Sequence, residues 1–352
     1  MPSATMKALR KPSAAPGARV ESVPIPEIGV NDVLVRVRAA SICGTDLHIY
    51  HWDRWSASRI HPPLTFGHEF CGYVEKIGAD VTSVAPGDFV SAEMHVADGV
   101  CRPCRVGQTH LCQNVKILGI DADGCFAEFV RIPERNIWKV DPKIPEHYAA
   151  ILDPLGNAVH TVLSGPIAGQ TVAVTGTGPI GLMAIAVARA CGATAIFASE
   201  TNARRRELAK TMGADEVLDP NATDFVGHVR AATGGSGVDV LLEMSGNATA
   251  IHQGFQILRP GGRASLLGIT TKPVQFDLVA DIIFKGATVL GIYGRKMFET
   301  WIQMTDLLKS GRLNLDPLFR ERVPLDGFLD AFSQLEKGQA EKILFYPNGS
   351  PR

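Results

Sequence analysis

The chain has 352 residues, which is more than one simple hydrophobic core accommodates and predicts two domains. Hydrophobic residues make up 45% of it, and the formal net charge of -1 argues against a nucleic-acid-binding surface. The N-terminus lacks the apolar core of a signal peptide, and glycine and arginine interrupt the most apolar stretch, so we expect no membrane span. Seven cysteines without an export signal favour reduced thiols in a cytoplasm.

Short strands are predicted for the first part of the chain, to about Leu152. Residues 33–38, VLVRVR, alternate apolar with polar side chains, and turn formers such as Pro86-Gly87-Asp88 separate runs of this kind. This pattern is typical of antiparallel β structure. We therefore predict a β-rich first domain.

After Asp153, apolar runs alternate with helical periods, which predicts an α/β fold with a doubly wound parallel sheet. The predicted strands are 171–175, 194–199, 216–218, 238–243, 263–268 and 288–292. The predicted helices between them are 179–190, 203–211 and 248–258. In the tail we predict helices at 298–308 and 325–337 and a strand at 342–346.

A glycine-rich turn follows the first of these strands. Gly176, Gly178 and Gly181 form G-x-G-x-x-G between a predicted strand and a predicted helix, which brings backbone amides close to a pyrophosphate. Glu200 ends the next strand, where an acid accepts hydrogen bonds from an adenosine ribose. The alternative is an ordinary turn and a solvated glutamate, but the strand–turn–helix order favours a dinucleotide site.

The choice of dinucleotide depends on charge. Glu200 would repel a 2′-phosphate, which favours NAD over NADP. Arg204, Arg205 and Arg206 follow it, and one of them could pair with such a phosphate. A run of three arginines is more often a solvated helix face, so we predict NAD.

Cys43, His68 and Glu69 offer the first set of metal ligands. Sulfur, nitrogen and oxygen gathered from distant positions suit a zinc ion that leaves a position open for an alcohol oxygen. Zinc would acidify that hydroxyl, and hydride would pass to the nicotinamide. Thr45 and His48 stand three residues apart and could carry the proton outward. The alternative makes Cys43 and His68 ordinary core residues.

A second set of ligands is spaced Asp98-x2-Cys101-x2-Cys104-x7-Cys112. Ligands packed so closely suit a closed structural zinc site that holds a loop in shape. Three cysteines leave the tetrahedron one ligand short, and Asp98 stands where a fourth cysteine would be expected. The alternative is a vacant loop with three free thiols. We predict zinc, with Asp98 as the fourth ligand.

The sequence resembles the zinc-containing medium-chain alcohol dehydrogenases at every fixed position of the signature Gly67-His68-Glu69-x2-Gly72-x5-Gly78-x2-Val81. Three longer passages are similar to the branch of that family that oxidises the side-chain hydroxyl of an amino acid; they are residues 40–50, 153–161 and 291–301. A polyol or 2,3-butanediol dehydrogenase is the alternative. A non-catalytic member is another, but such a protein should have lost a zinc ligand or the proton relay.

The resemblance implies a homotetramer whose GroES-like catalytic domain, residues 1–155 and 295–352, is interrupted by a Rossmann domain of residues 156–294. It also implies one catalytic and one structural zinc. The catalytic zinc would be bound by Cys43, His68 and Glu69, with Asp153 nearby as a carboxylate that adjusts its coordination.

The resemblance further implies roles for side chains that the motifs alone do not assign. Thr45 and His48 would form the proton relay, and His95 would influence substrate preference. The NAD contacts implied outside the glycines are Ile180, Glu200, Arg205, Leu267, Gly268, Ile269, Ile292 and Tyr293. Two positions depart from the family pattern, because Asp98 replaces a cysteine and Glu200 replaces the more usual aspartate.

Overall fold

The computed structural model describes residues 4–349 and divides the chain into two compact units. One unit reaches to Asp153 and resumes at Phe319, and the other runs from Pro154 to Leu318. Among the described residues, no helix is both long and apolar enough to cross a membrane.

The first unit is β-rich, as predicted. Its strands are β1 (Thr5–Lys11), β2 (Arg19–Pro24), β3 (Asp32–Ser41), β4 (Leu64–Thr65), β5 (Phe70–Ile77), β6 (Phe89–Ala92), β7 (His95–Val96), β8 (Lys116–Ile117), β9 (Phe129–Pro133), β10 (Ile137–Lys139), β17 (Phe319–Val323) and β18 (Lys342–Phe345). Its helices are α1 (Gly44–His51), α2 (Arg54–Arg59), α3 (Arg102–Arg105), α4 (Glu146–Ala149) and α11 (Phe328–Glu336). Helix α5 (Leu152–Leu163) begins here and continues into the second unit.

The main sheet of the first unit has the order β10-β6-β5-β3-β18-β17, with β9 also paired to β3. Its last strand in sequence, β18, runs antiparallel to β3, so that Leu344 lies opposite Ser41. Cys43 follows the end of β3. Because β18 pairs with that end of β3, its first residue, Lys342, lies beside the candidate metal ligands. A buried aromatic cluster of Phe66, Phe126 and Phe345 fills the core behind this sheet.

The second unit is a six-stranded sheet in which every pair is parallel, in the order β13-β12-β11-β14-β15-β16. Its strands are β11 (Thr171–Thr175), β12 (Ala195–Ser199), β13 (Glu216–Leu218), β14 (Val238–Glu243), β15 (Leu258–Leu266) and β16 (Thr288–Gly291). Its helices are α6 (Pro179–Ala190), α7 (Ala203–Thr211), α8 (Phe225–Ala232), α9 (Ala248–Ile257) and α10 (Glu299–Lys309). This doubly wound order confirms the predicted Rossmann sheet.

Two details of the second unit differ from the prediction. Helix α8 was not predicted, although Asp224 caps it by accepting a hydrogen bond from Gly227 N at 2.9 Å. Strand β15 begins at Leu258 and not at residue 263, because the Pro260-Gly261-Gly262 run does not end the strand; the register to β14 shifts there as at a β-bulge.

The unit boundaries also differ from the predicted domains, which placed residues 295–318 with the first domain and began the second at residue 156. In the structure these residues belong to the second unit. The reason is packing against α5, because a Cβ on Gly156 would come 2.9 Å from Arg295 Cδ and 3.5 Å from Met304 Sδ. Arg295 and Met304 are both buried, so this segment is part of the core of the second unit.

Candidate active site

Cys43 is held at the start of α1 by a reciprocal hydrogen-bond arrangement. It is the N-cap residue of that helix, and its backbone N–H donates to Asp46 Oδ2 at 2.8 Å. Because Asp46 is three residues into the helix, its carboxylate satisfies the amide that the helix cannot. The other oxygen, Asp46 Oδ1, lies 3.6 Å from His68 Nδ1. Asp46 thus connects two of the predicted metal ligands, a role that sequence reasoning missed although Cys43-x2-Asp46 has capping-box spacing.

The predicted catalytic ligands come together in the structure. Ligand atoms of Cys43, His68 and Glu69 all lie within 4.8 Å of one another. His68 and Glu69 immediately precede β5 and are 6% and 1% exposed. Burial lowers the pKa of His68, but the negative charges of Asp46 and Cys43 outweigh this effect and raise that pKa to about 10. A field of this sign attracts a cation to the cluster.

The donor set fits zinc. Within residues 4–349, the buried atoms His68 Nδ1 and Glu69 Oε1 have no hydrogen-bond partner. Unsatisfied buried polar atoms are costly, and an ion bound to this cluster would satisfy the Glu69 oxygen. Thiolate, imidazole and carboxylate are also the ligand types of open zinc sites.

The second oxygen of Glu69 is already engaged. Glu69 Oε2 accepts a hydrogen bond from Lys342 Nζ at 2.6 Å, and the same ammonium donates to Ile42 O at 3.2 Å. Both side chains of this ion pair are buried. Lys342 was not predicted as a site residue, although a lysine at the start of an otherwise apolar strand, KILF, was a usable signal.

A third group of side chains joins two predicted residues to one that was missed. Ligand atoms of Glu93, His95 and Asp153 lie within 4.8 Å of one another. Glu93 Oε1 is 3.0 Å from His95 Nδ1 and accepts a hydrogen bond from His95 N at 3.0 Å. The charge of Asp153 also contributes to raising the pKa of His68, so Asp153 lies close to both groups.

Thr45 and His48 both lie on α1, three residues apart, as their predicted relay role requires. Thr45 Oγ1 is 3.8 Å from Cys43 Sγ, so the first residue of the predicted relay lies next to a candidate metal ligand. His48 Nδ1 is 2.7 Å from Asp53 Oδ2, a partner that sequence reasoning missed. Asp53 directly before a short helix has the signature of an N-cap, which could have identified it.

The predicted structural zinc ligands also lie together. Ligand atoms of Asp98, Cys101, Cys104 and Cys112 are all within 4.8 Å of one another, and Cys101 Sγ is 3.4 Å from Cys104 Sγ and 3.8 Å from Cys112 Sγ. Three converging sulfurs and a carboxylate fit a tetrahedral zinc.

Asp98 also accepts hydrogen bonds from other residues of this loop. Asp98 Oδ1 accepts hydrogen bonds from Val100 N at 2.8 Å and from Cys101 N at 3.0 Å, and Oδ2 accepts from Asn114 Nδ2 at 2.6 Å. These contacts hold the pKa of Asp98 well below its usual range, with the bond from Cys101 N contributing most. The carboxylate is therefore ionised and organises the turn that carries the cysteines.

The three glycines of the nucleotide motif occupy the turn between β11 and α6. Gly176 has a φ of +85°, which favours glycine. A Cβ on Gly181 would lie 2.2 Å from Gly176 O, so this position also requires glycine. Gly178 is the N-cap of α6, and a Cβ there would meet no described atom within 4 Å. A pyrophosphate-binding turn requires a tight bend, close packing of the helix and open space for the ligand. Gly176, Gly181 and Gly178 meet these three requirements in that order.

Glu200 follows β12 and supports this turn directly. Its Oε2 accepts hydrogen bonds from Thr177 N at 2.9 Å and Thr177 Oγ1 at 3.1 Å, and its Oε1 accepts from Asn202 N at 2.9 Å. The side chain of Arg206 donates to Glu200 O at 3.0 Å and pairs with Asp219 at 3.0 Å. Arg206 thus supports the fold, whereas for Arg205 the structure shows the backbone N–H donating to the Asn202 cap.

The remaining predicted cofactor residues follow the carboxyl ends of neighbouring parallel strands. Leu267 N and Gly268 N donate to Glu243 O at 2.9 and 3.1 Å, and Ile292 N donates to Leu266 O at 2.9 Å. Ile180 lies in the first turn of α6, and Ile269 and Tyr293 are exposed. Open parallel sheets bind their ligands at this edge, so the predicted set lies where a dinucleotide is expected.

Comparison with known proteins identifies the family. The profile described as zinc-binding dehydrogenase matches residues 179–310, and that of the alcohol dehydrogenase GroES-like domain matches residues 29–142. An L-threonine 3-dehydrogenase from Bacillus licheniformis is 50% identical over 342 residues, which are 97% of this chain and 99% of the relative. The chain belongs to the zinc-containing medium-chain dehydrogenase family.

Solved structures of this family have the same fold as the chain. A zinc-binding dehydrogenase from Sinorhizobium meliloti, described as bound to NADP, is 34% identical with a TM-score of 0.91 and covers 98% of this chain and 100% of its own. The 2R,3R-butanediol dehydrogenase of Bacillus subtilis is 31% identical with a TM-score of 0.89, covering 97% and 100%. The predicted GroES-like and Rossmann fold class is confirmed.

Proposed function

We propose that this medium-chain dehydrogenase is an NAD-dependent L-threonine 3-dehydrogenase, which oxidises the 3-hydroxyl of L-threonine to give 2-amino-3-oxobutanoate. The proposal depends mainly on one observation. The ligand atoms of Cys43, His68 and Glu69 lie close together, and the Thr45 hydroxyl lies beside the Cys43 sulfur. The similarity to an L-threonine 3-dehydrogenase over nearly the full length of both chains supports this substrate.

Cys43, His68 and Glu69 would hold the catalytic zinc, and Asp98, Cys101, Cys104 and Cys112 a structural one. When bound, the catalytic ion polarises the substrate hydroxyl and favours its ionisation near neutral pH. The Lys342 ammonium keeps one Glu69 oxygen out of the ligand set, which leaves Oε1 as the donor. Asp153 stands next to this set and is proposed to adjust the coordination.

The chain moves the proton through its own side chains. Thr45 accepts the hydroxyl proton from the substrate as its own hydroxyl proton passes to His48. His48 then releases a proton to water, since 61% of its side chain is exposed. A bound nicotinamide would accept the hydride from carbon 3, so that the substrate would lose one hydride and one proton. His95, fixed by Glu93, is proposed to contribute to substrate preference.

The nicotinamide cofactor is proposed to be NAD. Gly176, Gly178 and Gly181 would receive the pyrophosphate and Glu200 the adenosine ribose, with contacts from Ile180, Arg205, Leu267, Gly268, Ile269, Ile292 and Tyr293. The buried carboxylate of Glu200 opposes a 2′-phosphate. The Sinorhizobium meliloti relative is described as bound to NADP, so the two cofactors are compared directly in the assay below.

A 2,3-butanediol dehydrogenase is the second candidate, with a polyol as a further substrate of the same type. The observation in its favour is the Bacillus subtilis 2R,3R-butanediol dehydrogenase, which shares the fold at 31% identity. All these secondary alcohols would use the same zinc ligands and relay, so the side chains around the metal do not separate them.

We propose that the protein is a homotetramer and that it is located in the cytoplasm. Strand β16 is an edge of the six-stranded sheet, and the neighbouring helical turn (Leu278–Ile283) and Phe284 expose large apolar side chains, 81% for Phe284. An exposed edge beside an apolar surface supports assembly through this unit. All seven cysteines lie in the described residues as free thiols, which supports a reducing compartment.

A spectrophotometric assay tests the activity by following NADH formation from L-threonine, 2,3-butanediol and sorbitol. Zinc-replete protein is compared with chelated protein, and NAD with NADP. We expect the highest kcat/KM with L-threonine and NAD, lost on chelation. Preference for a diol or polyol would support the second candidate, and no turnover of any secondary alcohol would support a non-catalytic member of the family.

A further inference from the structure

His48 and Asp53 form a contact that the proposed relay does not yet use. His48 Nδ1 lies 2.7 Å from Asp53 Oδ2, at the junction between α1 and α2. The other oxygen, Asp53 Oδ1, accepts a hydrogen bond from Ser56 N at 2.9 Å and so caps α2. The Asp53 carboxylate therefore contacts both the N-terminus of α2 and the imidazole of His48.

The junction between the two helices is held from several sides. Ser56 Oγ donates to His48 O at 2.7 Å, which ties the first turn of α2 back to the end of α1. Trp52, between them, has a φ of 56°, and Lys11 Nζ lies 5.1 Å from the centre of its ring. The turn between α1 and α2 therefore holds His48 and Asp53 in contact.

The charge of Asp53 determines which nitrogen of His48 carries hydrogen. Slight burial acts to raise the pKa of Asp53, but hydrogen bonds from Ser56 N and His48 outweigh it and keep that pKa below its usual value. An ionised carboxylate only accepts hydrogen bonds. His48 Nδ1 must then be the N–H donor, and Nε2 keeps its lone pair.

We propose that Asp53 is a positioning residue of the proton relay, which holds His48 in the tautomer whose Nε2 accepts the proton that leaves the substrate through Thr45. The proposal rests on the dehydrogenase function proposed above. With a proton on Nε2 the ring is an imidazolium paired to Asp53, and it returns to the neutral form by releasing that proton to water. The carboxylate is not protonated at any point, as is general for a carboxylate that orients a catalytic imidazole.

The Asp53→Asn variant separates positioning from structure. Asparagine is as good an N-cap as aspartate, so its Oδ1 can still accept from Ser56 N and α2 remains capped. The amide NH₂ then faces His48 Nδ1 as a donor, which favours hydrogen on Nε2 and blocks proton acceptance there. We expect kcat with NAD and L-threonine to fall by about 10- to 100-fold. This loss is at the lower end of the roughly 10²- to 10⁴-fold that a positioned base contributes, because the variant keeps the imidazole and changes only its tautomer.

Asp224→Asn provides a matched control. Asp224 caps α8 by accepting from Gly227 N at 2.9 Å, the same task that Asp53 performs for α2. The same chemical change is thus made at a helix start that has no role in the relay. We expect its kcat, its KM for NAD and its thermal midpoint to match the parent, and Asp53→Asn to match in the last two only.

The tautomer itself is read by NMR on zinc-loaded, NAD-bound protein labelled with ¹⁵N-histidine, with the His48→Ala spectrum used for assignment. We expect the nitrogen without hydrogen to be Nε2 in the parent and Nδ1 in Asp53→Asn. A parent His48 that carries hydrogen on Nε2 would overturn the proposal, as would a variant with the parent's kcat. The NMR result stands whether or not L-threonine is the substrate, so failure of the proposed activity is seen separately.

A double-mutant cycle gives the last check. If Asp53 acts through His48, Asp53→Asn causes no further loss of kcat in a His48→Ala background, because the group that it positions is gone. Independent, multiplying losses would show that Asp53 influences turnover by another route and would contradict the proposal.

Discussion

Lys342 Nζ and Glu69 Oε2 lie 2.6 Å apart in a buried ion pair that joins the last strand of the chain to a candidate zinc ligand. Burial lowers the pKa of Lys342, but the charges of Glu69, Cys43 and Asp46 outweigh it and raise that pKa, so the lysine is charged. The ammonium offsets part of the negative charge of this cluster, whose acidic side chains would otherwise face one another in the absence of metal.

Lys342→Met should therefore affect the zinc-free protein more than the zinc-loaded one. Removing one partner of a buried pair leaves an uncompensated charge, which costs about 3–5 kcal/mol. Bound zinc would compensate Glu69 in place of the lysine. We expect the rise in Tm on zinc addition, measured by calorimetry after chelation and reloading, to be larger in Lys342→Met than in the parent.

Lys139→Met is the control for that experiment. Lys139 Nζ is 2.7 Å from Asp88 Oδ1, and the lysine side chain is 60% exposed, so loss of this pair should cost less than about 1 kcal/mol with or without zinc. An equal zinc-dependent rise in Tm for parent and Lys342→Met would show that the ion pair does not share Glu69 with the metal.

The two zinc clusters should respond differently to loss of a thiol. Cys43→Ser should reduce kcat by more than about 100-fold with Tm and NADH affinity nearly unchanged. Cys101→Ser should instead lower Tm by several degrees, since a closed zinc site contributes to folding. Metal analysis by mass spectrometry should find one zinc fewer in each variant. If both variants lost activity alone, the division between catalytic and structural metal would be wrong.

Two glycines of the nucleotide turn give opposite outcomes on substitution. A Cβ at Gly181 would lie 2.2 Å from Gly176 O, so Gly181→Ala should lower the free energy of unfolding by about 1–3 kcal/mol. Gly178→Ala should cost no more than about 1 kcal/mol as an N-cap change. Its methyl group would occupy the space for the pyrophosphate, so NADH affinity, measured by fluorescence titration, should fall at least about tenfold. Normal NADH affinity in Gly178→Ala would place the pyrophosphate elsewhere.

Lys11 should give stability an unusual pH dependence. Burial lowers its pKa from 10.5 to about 8. Below pH 8 the lysine is charged in both the folded and the unfolded state, and the folded state bears the full cost of burying the charge. Between about pH 8 and 10.5 the folded protein loses this proton first, so the unfolded state binds more protons and stability rises with pH.

Urea denaturation at pH 7 and pH 9.5, for the parent and Lys11→Met, checks this expectation. The parent should gain stability relative to the variant at the higher pH. The hydrogen bonds that Lys11 donates to Gly17 O and Tyr50 O add a constant difference at lower pH, and only the change with pH is diagnostic. Stability curves that stay parallel would show that Lys11 keeps an ordinary pKa in the folded protein.

Local sequence patterns were sufficient for most of the second unit. The bounds of β11, α6 and α7 agree with the predicted 171–175, 179–190 and 203–211. Apolar strands buried on both faces and helices that begin at proline or asparagine have signals that lie within a few residues. The bulge in β15 was missed because its proline and glycines indicate a break, and only pairing with β14 keeps that segment in the sheet.

The candidate metal ligands were predicted because their chemistry depends on residue type and spacing, which the sequence shows directly. The side chains that position them were not. Asp46, Asp53 and Lys342 have local signals of a helix cap or a buried lysine, and Glu93 has none. The part that each takes in the site follows only from the atom that it contacts.

The amino-acid sequence by itself therefore determined the two fold types, the nucleotide turn and the identity of the candidate zinc ligands, because these follow from short-range periodicity and ligand chemistry. Only the tertiary structure decided that residues 295–318 pack with the second unit and that the Lys342 ammonium forms a buried ion pair with the Glu69 carboxylate. Contacts between residues hundreds of positions apart depend on strand pairing and core packing, which no local pattern encodes.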